Sequence, residues 1–297
     1  MLKNEQKNKT LIENKINILT FDIEEWFHLL DNKSTKLPGD WKKYEYRLES
    51  NMDYIFNLLI DNKLKASFFC LGWVAREFPN IVKKIDKLGF DIGTHSDLHQ
   101  LVYEQSRSEF KDDLSRSINS IEDLIGKKIK MYRAPGFSVT NSSEWVFEEL
   151  ISQGIEIDCS LSSVKTFNGG FTNFDCVNPS IIESKSGELK EFPINTYNLF
   201  GERIIFSGGG YFRFFPYWMI KYMSKKSKYM MTYYHPRDFD KDQPIISDLS
   251  LFRKFRAYYG INGCYDKLDR LIKEFDFLSV NQADEAIDWD IVERLKI

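Results

Sequence analysis

His95 and His99 stand four apart in Gly93-Thr94-His95-Ser96-Asp97-Leu98-His99, and they are two of only four histidines in the chain. On a helical turn that spacing puts both imidazoles on one face, within reach of a single metal ion. A catalytic zinc site takes three protein ligands and leaves one position for water, so a third ligand must come from another segment. Ile16-Asn17-Ile18-Leu19-Thr20-Phe21-Asp22-Ile23-Glu24-Glu25-Trp26 offers it. Ile16 to Phe21 is a short apolar run of β-formers without Gly or Pro, the pattern of a buried strand. Acids at the end of such a strand are costly to bury without a partner. In extended backbone Asp22 and Glu24 point to the same side, so one can hold a metal while the other stays free as a base. Acids placed there also suit the start of a helix.

Three further segments carry chemistry of the same kind. Tyr132-Arg133-Ala134-Pro135-Gly136-Phe137 reads as a strand end turning at Pro-Gly, and an arginine there can grip a carboxylate and keep it ionised. Gly154-Ile155-Glu156-Ile157-Asp158-Cys159-Ser160 is a β-like stretch ending in an acid. Tyr229-Met230-Met231-Thr232-Tyr233-Tyr234-His235-Pro236 is an apolar, aromatic strand ending in histidine. Strand ends are where barrel enzymes keep their reactive groups.

Taken in order, these segments resemble the polysaccharide deacetylases with a NodB-type domain, carbohydrate esterase family four. Thr20-Phe21-Asp22-Ile23-Glu24 is similar to the first family motif, with one residue between the acids. His95-Ser96-Asp97-Leu98-His99 is similar to the second, Arg133-Ala134-Pro135 to the third, Asp158-Cys159-Ser160 to the fourth and Tyr234-His235-Pro236 to the fifth. The strings Asp22 to His28, Gly208 to Arg213 and His235 to Asp240 further resemble members associated with bacterial exopolysaccharide and surface-glycan assembly. The resemblance implies a distorted (β/α)7 barrel and a metal-dependent hydrolase that removes an N-acetyl group from an amino sugar and releases acetate. It implies a divalent ion, most plausibly Zn²⁺, on Glu24, His95 and His99. Asp22 is then the general base, His235 the acid on the leaving amine, Arg133 the partner of Asp22, Asp158 the residue that orients His235, and the Gly136 amide an oxyanion donor.

The bulk properties agree with this reading. The 297 residues carry a net charge of −3 and 42% hydrophobic residues, enough for one large α/β domain over residues 16–297 behind a polar extension, 1–15. A mildly acidic chain does not suit nucleic acid. Cys70, Cys159, Cys176 and Cys264 are scattered, which points to reduced thiols. The polar, lysine-rich start has no secretory h-region, and no apolar run is long enough to span a membrane. A cytoplasmic location follows as an expectation, and with it an N-acetyl sugar that is nucleotide-linked, lipid-linked or part of an oligosaccharide.

Strands and helices alternate along the chain. Lys65–Leu71 and Phe90–Gly93 read as strands, Val74–Leu88 and Glu109–Ile125 as helices, the latter stopped by Gly126. Asn141 with Glu144 resembles a capping box opening a helix through Gln153. This alternation implies a parallel sheet closed into a barrel, with loops and short antiparallel strands inserted at Leu161–Asn195. Most of the many aromatics belong to a core. Trp26 and Tyr211 are the candidates for sugar contact, and His28 is left outside the site. Gly208-Gly209-Gly210 lacks the Lys-Ser/Thr of a phosphate loop and reads as a turn, with or without close approach to substrate. Two other functions compete: a metal-dependent amidohydrolase of a small non-sugar amide, and a catalytically silent glycan-binding protein of the same fold.

Overall fold

The structure is a computed structural model that describes residues 15–30, 32–166, 168–172 and 177–297. The described elements, in chain order, are β1 (Ile16–Ile18), β2 (Thr20–Ile23), α1 (Leu48–Asp61), β3 (Ser67–Cys70), α2 (Gly72–Glu77), α3 (Pro79–Lys87), β4 (Asp91–Thr94), α4 (Arg107–Ile125), β5 (Met131–Tyr132), α5 (Trp145–Ser152) and β6 (Ile157–Asp158). The second half adds β7 (Ser180–Ser184), β8 (Gly187–Glu191), β9 (Tyr197–Leu199), β10 (Glu202–Ile204), α6 (Gly209–Phe214), α7 (Tyr217–Lys226), β11 (Tyr229–Met231), α8 (Leu251–Tyr258), α9 (Cys264–Glu274), α10 (Val280–Ala286) and β12 (Glu293–Lys296).

The apolar run that opens the chain is buried along its whole length as β1 and β2. One edge of this interrupted strand pairs in parallel with β11 and, beyond it, with Tyr234. The other edge pairs with Leu278 and then with β3. From β3 the parallel ladder continues through β4, β5, β6 and β8. Among the described residues this makes a wall of parallel strands with α1 to α5 between them, the barrel-like α/β sheet expected. Between β8 and β11 the wall is completed by side chains. Asn195 Oδ1 accepts from the Met231 amide at 3.0 Å and from Ser207 at 2.9 Å, and Tyr229 donates to the Pro193 carbonyl at 2.8 Å. The short antiparallel strands expected in 161–195 are β7 and β8, and β8 is itself a strand of the wall.

Local sequence explains most element ends. Ser106 and Glu109 form a capping box on α4, and Gly126 ends it at φ 67°. The helix expected over Val74–Leu88 is two helices, because Pro79 offers no amide and bars Phe78 from helical geometry (φ −127°, ψ 55°). The capping box expected at Asn141 and Glu144 does not form. Ser143 instead bonds back to Thr140, and Asn141 reaches Thr172. Cys70, Cys159 and Cys264 are buried free thiols, as expected, and Cys176 lies outside the described residues.

The glycines at 208–210 serve close packing. Gly208 bridges to Tyr233, and a Cβ on it would sit 2.0 Å from the Tyr233 carbonyl oxygen. Gly209 donates to that same carbonyl and opens α6. Gly208→Ala is therefore expected to push α6 off the strand that leads to His235 and to cost roughly 1–3 kcal/mol, read as a lower midpoint in denaturant unfolding.

Candidate active site

Three strand ends, those of β2, β4 and β11, deliver polar side chains to one cavity of about 630 Å³, and a fourth, that of β5, places Arg133 behind them. Asp22 is the third residue of β2, and Glu24 follows that strand directly. His95 follows β4, Arg133 follows β5 and His235 lies four residues after β11. The sequence therefore places its reactive groups where the fold concentrates them.

Arg133 is fully buried. Its Nη1 donates to Asp22 Oδ1 at 2.7 Å and to Thr20 Oγ1 at 2.7 Å, its Nε donates to the Cys159 carbonyl at 3.3 Å, and the guanidinium lies 4.1 Å above the Phe69 ring. One oxygen of Asp22 is thus committed to arginine. The other, Oδ2, faces His235 Nε2 at 3.9 Å.

Glu24, His95 and His99 each offer a donor atom within 4.8 Å of the other two. His95 Nδ1 must donate to the Arg133 carbonyl, 2.8 Å away, so its Nε2 carries the lone pair. Burial holds the His95 imidazole down at about 4, in the neutral form a metal needs. His99 Nε2 and Glu24 Oε2 lie 2.7 Å apart, and beyond His99 the buried Oε2 has no partner among the described residues. Two donors crowded on one point fit a cation there. Burial alone would raise Glu24, but His99, His235 and His95 outweigh it and keep its carboxyl well below the usual carboxylate range.

The two histidines do not meet on a helix, as their spacing had suggested. Residues 95–100 form an irregular loop in which Ser96 (φ 75°) and His99 (φ 54°) are left-handed. Asp113 on α4 holds this loop by accepting from the amides of Asp97 (2.9 Å) and Leu98 (3.3 Å). Asp97 is itself buried between Arg76 and Arg116.

Asp158 does not orient His235. It accepts from the Cys159 amide (2.9 Å) and Ser160 (2.5 Å) and faces Glu191 across β6 and β8. Burial pushes Asp158 up to about 6 and Glu191 well above its usual value, so this pair keeps a proton between β6 and β8. Asp238 takes the orienting role instead. Its Oδ2 lies 3.0 Å from His235 Nδ1 and accepts the His235 amide at 2.9 Å, while Oδ1 sits 3.0 Å from Arg213 Nε. The signal was local: an acid three residues after the histidine, in a capping arrangement around Pro236. Burial would depress the His235 imidazolium, but Asp238, Glu24 and Asp22 outweigh it and raise it to about 9.

Trp26 does not line the cavity. It is buried, its Nε1 donates to the Glu45 carbonyl, and it packs edge-on against Phe27 and Tyr44. Tyr211 is half-exposed on the cavity wall, as a sugar contact requires, and Gly136 (φ 62°) lines the same wall. His28 does reach the wall, 5.9 Å from the His99 ring, wedged against Trp41 and Trp73. Burial lowers it to about 3, which leaves a neutral ring. Glu25 belongs to the scaffold, since its Oε1 accepts the Arg47 and Leu48 amides at the start of α1.

Comparison with known proteins follows the same segments. Residues 13–153 match the polysaccharide deacetylase family, and residues 159–285 match a domain of unknown function, DUF3473. A peptidoglycan-N-acetylglucosamine deacetylase of Bacillus cereus is 27% identical over 35% of this chain and 38% of its own length. A peptidoglycan deacetylase of Helicobacter pylori is 27% identical over 42% of this chain and 41% of its own. The chain thus spans about two fifths of these relatives. A solved structure described as a polysaccharide deacetylase from Mycobacterium smegmatis overlays 96% of this chain and 94% of its own, with a TM-score of 0.65 at 18% identity, which shows a shared fold.

The raised His235 value is directly measurable. In metal-free protein, NMR titration is expected to keep the ring protonated to about pH 9, and Asp238→Asn is expected to bring it down. The folded value lies above the ordinary 6.5, so the charged ring favours the folded chain fully below pH 6.5, and that gain disappears as pH rises through 9.

Proposed function

Residues 13–153 match the polysaccharide deacetylase family, and on that footing we propose that the chain hydrolyses the N-acetyl group of an amino sugar in a glycan or glycan precursor. The observation that carries this reading is the opposition of Asp22 Oδ2 and His235 Nε2, 3.9 Å apart, beside the Glu24–His95–His99 cluster. Two imidazoles and a carboxylate are a donor set suited to Zn²⁺. Bound there, such an ion supplies Lewis acidity to an amide carbonyl and to a water.

The residues of the chain supply the proton transfers. Asp22 accepts a proton from the attacking water at Oδ2. Arg133 holds Oδ1, which fixes the carboxylate's orientation. The water oxygen joins the carbonyl carbon, and the Gly136 turn on the cavity wall offers its amide to the oxygen that gains charge. His235, charged through Asp238 and the two site carboxylates, gives its Nε2 proton to the departing nitrogen as the C–N bond breaks. The products are acetate and a free amine. Tyr211 on the open wall offers a face to the sugar ring.

Two variants separate metal binding from proton transfer. His99→Ala is expected to abolish Zn²⁺ binding in calorimetric titration while the circular dichroism spectrum stays that of the parent. Asp22→Asn is expected to bind Zn²⁺ as the parent does and to release acetate from N-acetylglucosamine oligomers roughly 10²–10⁴-fold more slowly. Loss of zinc from Asp22→Asn would exchange the roles given to Asp22 and Glu24. A parent protein that binds zinc but releases no acetate from any N-acetylated glycan would remove the proposal.

A further inference from the structure

α8 presents its apolar side outward. Among its described residues none is buried, and the outward stripe is Leu251 (87% exposed), Phe252 (66%) and Phe255 (47%), continued by Tyr259 (50%). A surface helix ordinarily turns such a stripe inward. Phe214 of α6, also exposed, joins it, with ring centres 6.3 Å from Phe255 and 6.0 Å from Tyr259. The result is a contiguous apolar patch at the mouth of the catalytic cavity.

Along α8 itself the charge has one sign, with Asp248 just before the helix. α8 carries Arg253, Lys254 and Arg256, and no acid occurs from residue 249 to residue 265, in a chain whose net charge is −3. Arg256 lies over the Phe252 ring, and Arg253 donates to the Leu30 carbonyl beside the site. Protruding bulky apolar side chains flanked by basic ones are the features by which a helix lies in the headgroup layer of an anionic bilayer. Two other occupants fit less well. Phe214, Phe252, Phe255 and Tyr259 also line the cavity and offer rings to a sugar chain there, but Leu251, the most exposed residue of the patch, has no flat face and lies outside that lining. A second copy meeting the patch across a two-fold axis would bring like charges together.

We infer that α8 and Phe214 form an interfacial docking face for an anionic lipid surface, which sets the cavity mouth against the membrane. The docking stands on the patch alone. Its consequence, that the acetylated sugar is presented at the bilayer on a lipid carrier, rests on the deacetylase reading. No helix among the described residues is long and apolar enough to cross a membrane, and the docking assigned to α8 is interfacial.

Vesicle co-sedimentation of the whole chain tests this without any activity assay, so its failure is separate from failure of the deacetylase reading. The protein is expected to pellet with phosphatidylcholine vesicles containing phosphatidylglycerol, far less with phosphatidylcholine alone, and to be released by high salt. Lys254→Glu is expected to weaken binding at least about fivefold, the contribution of one basic residue near an anionic surface. Leu251→Asp is expected to weaken it as well, and both variants should keep the parent's rate of acetate release from a soluble oligomer, since neither residue lines the cavity. Equal pelleting with and without anionic lipid, no pelleting at all, protection of α8 by soluble glycan instead of vesicles, or a dimer broken by Leu251→Asp would each overturn the inference.

Discussion

A guanidinium with no exposure to solvent stands at the centre of the barrel, and the rest of the site is arranged around satisfying it. A guanidinium keeps its charge inside a protein, and a buried charge without partners is among the most destabilising features a protein can hold. Its partners come from the first strand (Thr20 and Asp22), from the carbonyl of Cys159 after β6 and from the ring of Phe69 in β3. The carbonyl of the same residue holds His95 by Nδ1. One residue thereby fixes the direction of a carboxylate and the tautomer of an imidazole. It also divides labour between the two acids. Asp22 spends one oxygen on Arg133 and lies outside the cluster of metal-capable donors, while Glu24 lies within it.

The two halves of the chain contribute different parts of this machinery. The segment that matches the deacetylase family holds Asp22, Glu24, His95, His99 and Arg133. The segment that matches a domain of unknown function holds His235, Asp238 and Arg213. Arg213 links the latter group to the cavity rim, because it pairs with Asp238 and donates to the carbonyls of Arg256, Ala257 and Tyr259 at the end of α8. The ladder from β6 to β8, and from β11 back to β1, ties the two segments into one wall. The second segment thus supplies His235, the carboxylate that holds its Nδ1 and the helix at the mouth.

Much of the site could be read from residue order alone, because strand-end motifs carry their chemistry in adjacent residues. Asp22, Glu24, His95, His99, Arg133 and His235 meet as their motifs suggest. What escaped reading depended on the path of the backbone. The spacing of His95 and His99 matches a helical turn, yet two left-handed residues bring the rings together in a loop pinned by Asp113 on a distant helix. Asp158 occupies the motif position of an orienting acid, but its strand faces Glu191, and the local acid Asp238 reaches His235 first. Trp26 sits beside the acids in sequence, but its indole turns into the aromatic core around Phe27. Tertiary packing decided the first and third of these cases, which no local pattern encodes, while the second left a local signal in the acid three residues after His235.

The division of labour imposed by Arg133 is tested most directly by diffraction from zinc-loaded crystals at the zinc absorption edge. The account predicts one anomalous peak bounded by Glu24, His95 and His99, with Asp22 still paired to Arg133 and outside the coordination shell. A peak coordinated by Asp22, with Arg133 turned away from it, would contradict it.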